Sequence, residues 1–133
     1  MDSRTRTALS EALTRELQAH AHYRAAIGRF GSVYPFFLLE EAVELQIDAL
    51  RPICRRNGIE PSNRTADPVA PPDSLAQVLR DQAASEEESA NRYEELLGQV
   101  DDPVVRLLLS RLEEACRYQR LPLLRRARDQ QKV

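Results

Sequence analysis

Residues 16 to 23 read Glu-Leu-Gln-Ala-His-Ala-His-Tyr, and residues 86 to 93 read Glu-Glu-Glu-Ser-Ala-Asn-Arg-Tyr. In both stretches a glutamate precedes a tyrosine by seven residues, a spacing that returns to the same face of an α-helix. The apolar residues at helical spacing around these pairs are Leu9, Leu13, Ile27 and Phe30 in the first stretch and Leu79, Ala83, Leu97 and Val100 in the second. A carboxylate on an apolar face is costly to bury unless it is paired, protonated or bound to a metal. The pattern therefore predicts a site between two helices, with Glu16 and Glu86 at its centre.

The same helical spacing extends through most of the chain and predicts one all-α domain over residues 1–133. A first helical hairpin, A-B, is predicted for residues 5–57 and a second, C-D, for residues 74–129. Between them lies a stretch with four prolines, residues 58–73, in which a helix or central strand is disfavoured. An extended crossover of this length can run the whole length of a helical bundle.

The two hairpins also read as an internal repeat. A shift of 70 positions lays residues 9–56 on residues 79–126 without a gap, and it superposes the two glutamate-tyrosine pairs. It also superposes Pro52 on Pro122, and a proline inside a helix costs about 3 kcal/mol, so two at equivalent positions indicate a common origin. We therefore predict two copies of one helical hairpin.

Composition excludes several classes of partner. The net charge of -2 argues against nucleic acid or an anionic membrane, and no apolar run is long enough to span a bilayer. The residues after Met1 lack the apolar core of a secretory signal, so we expect a cytoplasmic protein. Cys54 and Cys116 are not spaced as a metal or redox motif, and buried reduced thiols are expected.

Paired hairpins with an inward Glu-x-x-Ala/Ser-x-x-x-Tyr pattern on the first helix of each resemble the ferritin-like superfamily, rubrerythrin-type domains in particular. The resemblance covers roughly residues 8 to 127. It implies a four-helix bundle in up-down-down-up order, with the long crossover between helices B and C. It also implies a carboxylate-bridged dinuclear centre of iron or manganese that acts on dioxygen, peroxide or iron.

The family's site takes one glutamate from each of helices A and C and a Glu-x-x-His from each of B and D. The first two positions match Glu16 and Glu86, with Tyr23 and Tyr93 as supporting residues behind the metal. On helix D the match is Glu113, with Cys116 where the family has histidine. On helix B the 70-residue shift points to Val43 and Gln46, and the other alignments, Glu44 with Ile47 or Glu41 with Glu44, supply no histidine either.

Both histidines of the chain lie on helix A. His20 follows Glu16 by one turn, so the two side chains form a candidate chelate at i, i+4 spacing. His22 is expected to face solvent. The candidate metal ligands are therefore Glu16, Glu86, Glu113, His20, Cys116 and Gln46.

Two functions stay open at this point. In the first, the chain is a ferritin-like iron or manganese protein. In the second, it is a metal-free structural or interaction module in which Glu16 and Glu86 face each other and the tyrosines donate to them, one carboxyl being driven towards its protonated form. A homodimer is expected in either case, and a protein partner in the second. Phe36 and Phe37 are adjacent and cannot both face one core, so one of them is a candidate subunit contact.

Overall fold

The computed structural model describes residues 2–131 and is helical over most of that range. Helix α1 spans Ser3–Phe30, α2 Phe36–Arg56 and α3 Leu75–Leu97. Helix α4 spans Pro103–Glu114, a π-helical segment Ala115–Arg120 and α5 Leu121–Gln130. These last three follow one another without a loop and form the fourth rod of an all-α four-helix bundle. The predicted fold class is confirmed, and within residues 2–131 there is no strand.

The helix ends follow from local chemistry that the sequence already contains. Ser74 caps α3 by accepting from the Gln77 N–H, and Asp102 caps α4 by accepting from the Val105 N–H, with Pro103 in the first turn. Gly58 adopts a φ of 79° just beyond the end of α2, a conformation that costs glycine little. These helices therefore begin or end at residues whose side chains or backbone conformation suit a helix end.

The long connection between α2 and α3 follows the outside of α1. Its only regular structure in the described chain is a 3-10 turn, Pro61–Asn63. Arg64 donates to the Ser10 hydroxyl at 3.2 Å, and the Asp67 N–H donates to the Gln18 side chain at 2.9 Å. The connection thus advances along α1 as its residue numbers rise, as expected for a crossover that runs along a bundle.

Helix α3 runs antiparallel to α1. The Arg92 guanidinium on α3 contacts Glu11 near the start of α1 at 2.6 Å, whereas Tyr23 further along α1 donates to Glu86 earlier in α3. Each of these helices also packs against the next rod of its own hairpin. These contacts establish the relative direction of α1 and α3. The complete up-down-down-up order of the four helices remains a prediction.

The core consists of two apolar clusters with a polar layer between them. One cluster contains Leu13 of α1 and Ala90 of α3, and the other contains Tyr23 of α1 and Ala83 of α3. Among the buried polar side chains are Glu16, Glu86, Ser89 and Arg120, which lie along their helices between members of the two clusters. The two glutamates of the predicted site, Glu16 and Glu86, therefore lie in this polar layer.

Three smaller expectations are also settled. Cys54 and Cys116 are buried free thiols, as predicted. Phe36 is buried and Phe37 is 42% exposed, so the two adjacent rings do face different ways. Among the described helices none combines the length and apolar character needed to cross a bilayer.

Candidate functional site: a buried carboxylate-guanidinium layer

Glu16 and Glu86 are both inside the bundle. Glu16 is 1% exposed on α1 and Glu86 is 3% exposed on α3. Their neighbours one turn away, including Leu13 and Ala83, are also buried, so the helical stripe read from the sequence is the face that enters the core. Two carboxylates at this depth require partners, because an isolated buried charge is very unfavourable.

The partner of both carboxylates is Arg120, at the end of the π-helical segment. Arg120 is 0% exposed. Its Nη2 donates to Glu16 Oε1 at 2.5 Å and its Nη1 donates to Glu16 Oε2 at 3.2 Å, a bidentate contact. The same Nη1 lies 3.4 Å from Glu86 Oε1. One guanidinium therefore joins the two glutamates, and it is bound more closely to Glu16 than to Glu86.

Two tyrosines complete the layer in a crossed arrangement. Tyr93 of α3 donates its hydroxyl to Glu16 Oε2 at 2.8 Å, and Tyr23 of α1 donates its hydroxyl to Glu86. Both tyrosines are 0% exposed. The expectation that these hydroxyls donate to the glutamates is confirmed. Each tyrosine donates to the glutamate of the other helix, because the antiparallel packing of α1 and α3 places the two side by side.

Arg120 reaches the layer because of its position along the fourth rod. Residues four apart lie on one side of a helix, and both Cys116 and Leu124 are 0% exposed. Just beyond Arg120, the Leu121 N–H donates to the Cys116 carbonyl, five residues earlier, which is the bond of a π-helix. Pro122 follows, and it has no N–H for a regular helical bond. The π-helical segment thus occurs next to a proline, where the regular hydrogen bonds of an α-helix would be interrupted.

The charges of the layer shift the pKa values of its members. Burial on its own would lower the pKa of Arg120, but the attraction of Glu16 and Glu86 outweighs it and the pKa lies well above its ordinary value. Burial raises the pKa of Glu86; the charge of Arg120 opposes this rise and that of Glu16 adds to it. With one guanidinium facing two carboxyls, a proton on Glu86 brings the layer to neutrality. This agrees with the expectation that one of the two carboxyls is driven towards protonation.

The two tyrosine hydroxyls and the Cys116 thiol stay protonated, because burial and the nearby glutamates disfavour their anions. Burial, reinforced by the charge of the nearest glutamate, raises the pKa of Tyr23 and of Tyr93 well above the ordinary value. Burial also raises the pKa of the Cys116 thiol, whose Sγ lies 3.7 Å from Arg120 Nη1. These groups therefore act as hydrogen-bond donors, and Cys116 is a thiol rather than a thiolate ligand.

The other residues predicted as metal ligands lie outside this layer. Glu113 is bound to Arg117 at 2.6 Å, with a side chain that is 18% exposed. His20 does not pair with Glu16; its Nε2 lies 3.0 Å from Glu44 of α2. Gln46 is partly exposed on α2, and it makes none of the hydrogen bonds of the layer. The structure thus brings together Glu16, Glu86, Tyr23, Tyr93 and Cys116, and it leaves Glu113, His20 and Gln46 apart from them.

A dinuclear metal centre fits these residues poorly. Such a centre needs carboxylate and imidazole donors from all four helices. On α2 the equivalent position is Val43, which is apolar and 0% exposed. On the fourth rod the side chain that enters the layer is the cation Arg120, and it already binds the oxygens of both glutamates. The layer therefore lacks the donor set of a dinuclear metal centre.

A surface pocket of about 220 Å³ leads to the two glutamates from the crossover side. Glu16 and Glu86 form part of its wall, together with Arg15, Gln18, Asp67 and Ser89. Arg15 Nη1 donates to the Ser89 hydroxyl across the pocket at 3.1 Å. His22 also borders it and is partly buried rather than free in solvent; burial lowers the pKa of this imidazole, with Asp81 opposing.

Arg120 is the functional residue that sequence reasoning missed, although two signals pointed to it. It follows Cys116, a cysteine expected to be buried, by four residues, so the two side chains lie on the same side of a helix. The 70-residue repeat also pairs it with Leu50, which is 0% exposed on α2. The repeat therefore makes Arg120 a candidate for burial in the core.

Comparisons with protein-family models, with curated proteins and with solved structures find no match to this chain.

Proposed function

We propose that the protein is a ferritin-like bundle in which a guanidinium takes the place of a metal centre, and that it serves as a non-catalytic structural or protein-interaction module. The observation that carries the proposal is the position of Arg120 between Glu16 and Glu86. A cation supplied by the chain itself balances carboxylates that would otherwise attract a metal ion. The same contacts hold α1, α3 and the fourth rod together.

A ligand comparison supports this reading. Di-iron and di-manganese bundles present several carboxylates and two imidazoles to the ions. The buried layer here offers two carboxylates, both engaged by Arg120 and by tyrosine hydroxyls. A metal ion entering the layer would have to displace Arg120 from both glutamates and break its ion pairs with them, which is unfavourable.

An interaction role is supported by apolar side chains on the outside of α2. Phe37 is 42% exposed, Leu38 37% and Leu45 70%. Spacings of seven and eight residues bring these three to one side of the helix. Apolar side chains grouped on one face favour contact with another protein. We include in the proposal a homodimer formed through this face, in the cytoplasm.

Metal content tests the first half of the proposal. The protein would be produced in iron- and manganese-supplemented medium, loaded anaerobically with Fe(II), and measured by mass spectrometry beside a Glu16→Gln/Glu86→Gln variant. We expect no stoichiometric iron or manganese that depends on these two residues. One or two metal ions per chain, lost in the double variant, would overturn the proposal.

Light scattering during size-exclusion chromatography tests the second half. We expect the wild type to be a dimer. Leu45→Lys is expected to convert it to a monomer without changing the circular dichroism signal of the helices. The matched control is Leu107→Lys, because Leu107 is also an exposed leucine, 53% accessible, but lies on α4. A monomer at all concentrations, or equal effects of the two variants, would rule out a dimer through this face of α2.

A second candidate function is a ferritin-like iron or manganese protein acting on dioxygen, peroxide or iron. The observation that favours it is the pocket that reaches Glu16 and Glu86 from the surface, since a buried metal site needs an entry path. Arg120 would have to leave the layer for this function. The metal measurement above decides between the two candidates, and turnover of peroxide and dioxygen would be assayed only if metal is found at Glu16 and Glu86.

A further inference from the structure

A second group of possible ligands lies on the other side of α1, between α1 and α2. His20 of α1 and the carboxylates of Glu40 and Glu44 of α2 each offer one ligand atom, and these atoms all lie within 4.8 Å of one another. We propose that these three residues bind one divalent transition-metal ion of the zinc class. The site shares no residue with the buried layer, so it is independent of the function proposed above.

The hairpin holds these ligands in place. Glu40 and Glu44 are four residues apart, so they occupy successive turns on one face of α2. His20 meets that face from α1, and its Nε2 lies 3.0 Å from Glu44 Oε1. Two ligands on one rigid helix and a third on the helix packed against it allow coordination by side-chain rotation alone.

The donor set indicates the class of metal. One imidazole nitrogen with two carboxylate oxygens suits Zn²⁺, Co²⁺ or Ni²⁺, and it supplies three protein ligands with a further position for water. Mg²⁺ and Ca²⁺ prefer oxygen ligands alone, so the imidazole selects against them. Two carboxylates and a neutral imidazole carry a charge that a divalent ion balances.

The surroundings leave room for an ion and its water. A hollow of about 270 Å³ lies beside the ligands, with His20, Glu44 and Asp48 in its wall. Arg24 contacts Glu40 at 3.6 Å and competes with a metal for that carboxylate. The Arg24 side chain is 64% exposed and that of Glu40 20%; the 3.6 Å contact is long and its arginine is in solvent, so the ion pair is weak and a metal ion can displace Arg24.

Calorimetric titration of the full chain with ZnCl₂ tests the proposal. The wild type is expected to bind one Zn²⁺ per chain, and His20→Gln and Glu44→Gln are each expected to weaken binding by at least about tenfold, the smallest loss usual when even a supporting residue of a metal site is removed. A tenfold excess of Mg²⁺ is expected not to compete. Circular dichroism would confirm that each variant is folded.

The matched control is His22→Gln, which removes the chain's other histidine, two residues away on the same helix. It is expected to leave Zn²⁺ affinity unchanged. Zn²⁺ should also perturb the ring resonances of His20, and not those of His22, in NMR spectra. The proposal is overturned if the wild type binds no Zn²⁺ at one per chain, if His22→Gln weakens binding as much as His20→Gln, or if Glu16→Gln/Glu86→Gln abolishes it.

Discussion

Replacement of Arg120 by methionine removes the only cation seen among the buried side chains of residues 2–131 and keeps an unbranched apolar chain that extends about as far as the Nε of arginine. The variant leaves Glu16 and Glu86 inside the bundle with the tyrosine hydroxyls as their remaining donors. Three contacts from Arg120 to carboxylate oxygens are lost, at 2.5, 3.2 and 3.4 Å. Removal of one partner from a buried ion pair costs about 3–5 kcal/mol at neutral pH.

That cost is large beside the total stability of a domain, about 5–15 kcal/mol. The melting temperature is expected to fall by about 10–20 °C for a chain of this size. The assay is urea unfolding at pH 7, followed by circular dichroism at 222 nm, with thermal unfolding alongside. The matched control is Arg126→Met, since Arg126 is exposed on α5, and its effect is expected to stay within about 0.5 kcal/mol.

The pH dependence separates a charge effect from a packing effect. Burial already raises the pKa of Glu86 in the wild type, and the variant removes the cation that opposes this rise. A carboxyl with a raised pKa in the folded state stabilises that state below its unfolded pKa, about 4.3, and loses this contribution as the pH rises through the folded pKa. The deficit of Arg120→Met is therefore expected to be greatest at pH 7 and smaller near pH 4.5.

Two results would refute this reasoning. A loss of unfolding free energy below about 1 kcal/mol at pH 7 would show that Arg120 does not balance the buried carboxylates, because an unpaired buried charge destabilises the folded state by more than that. A deficit of the same size at pH 4.5 and pH 7 would show that lost packing, not charge, causes it. Adding Glu16→Gln and Glu86→Gln to Arg120→Met is expected to recover most of the loss, since it removes the unpaired charges.

Three further predictions concern the tyrosine contact, the core and a helix end. Tyr93→Phe removes the hydroxyl that donates to Glu16 and is expected to cost about 1–3 kcal/mol in urea unfolding; no change would mean that the hydroxyl is not needed to satisfy the carboxylate. Leu50→Ala is expected to cost about 2–5 kcal/mol because Leu50 is 0% exposed, whereas Leu45→Ala, at a site that is 70% exposed, is expected to cost under about 0.5 kcal/mol in the same assay; equal losses would contradict the burial of α2. Asp102→Ala removes the cap of α4 and is expected to cost about 1 kcal/mol, with Asp102→Asn as the control that retains a capping oxygen.

Much of the site was readable from the spacing of residues along single helices. Glu16 with Tyr23 and Glu86 with Tyr93 were assigned to inward faces, and all four are buried. That assignment succeeded because the period of an α-helix is fixed, so a residue's face follows from its position relative to apolar neighbours. The burial of Cys116 was also expected, but from the general tendency of free cysteines to be buried rather than from its spacing.

Spacing along the chain did not identify the partners of the other ligands expected from the family resemblance. Glu113 lies three residues before Cys116, but its carboxylate binds Arg117 on its own rod. His20 is one turn from Glu16, yet its imidazole meets Glu44 of α2 instead. In both cases spacing identified a possible contact, while rotamer choice and a competing partner on a neighbouring turn or helix selected a different one.

The sequence by itself determined the helices, their caps, the crossover and the faces that enter the core, because each of these depends on residues within a few turns of one another. Only the tertiary structure decided which side chains meet across the core. The crossed pairs, Tyr23 with Glu86 and Tyr93 with Glu16, require α1 and α3 to be antiparallel and in one register. The contact of Arg120 with Glu16 joins residues 104 positions apart. This contact forms because Arg120 and Glu16 neutralise each other's charge inside the core. That core exists only when the helices have assembled, so no single helix determines the contact.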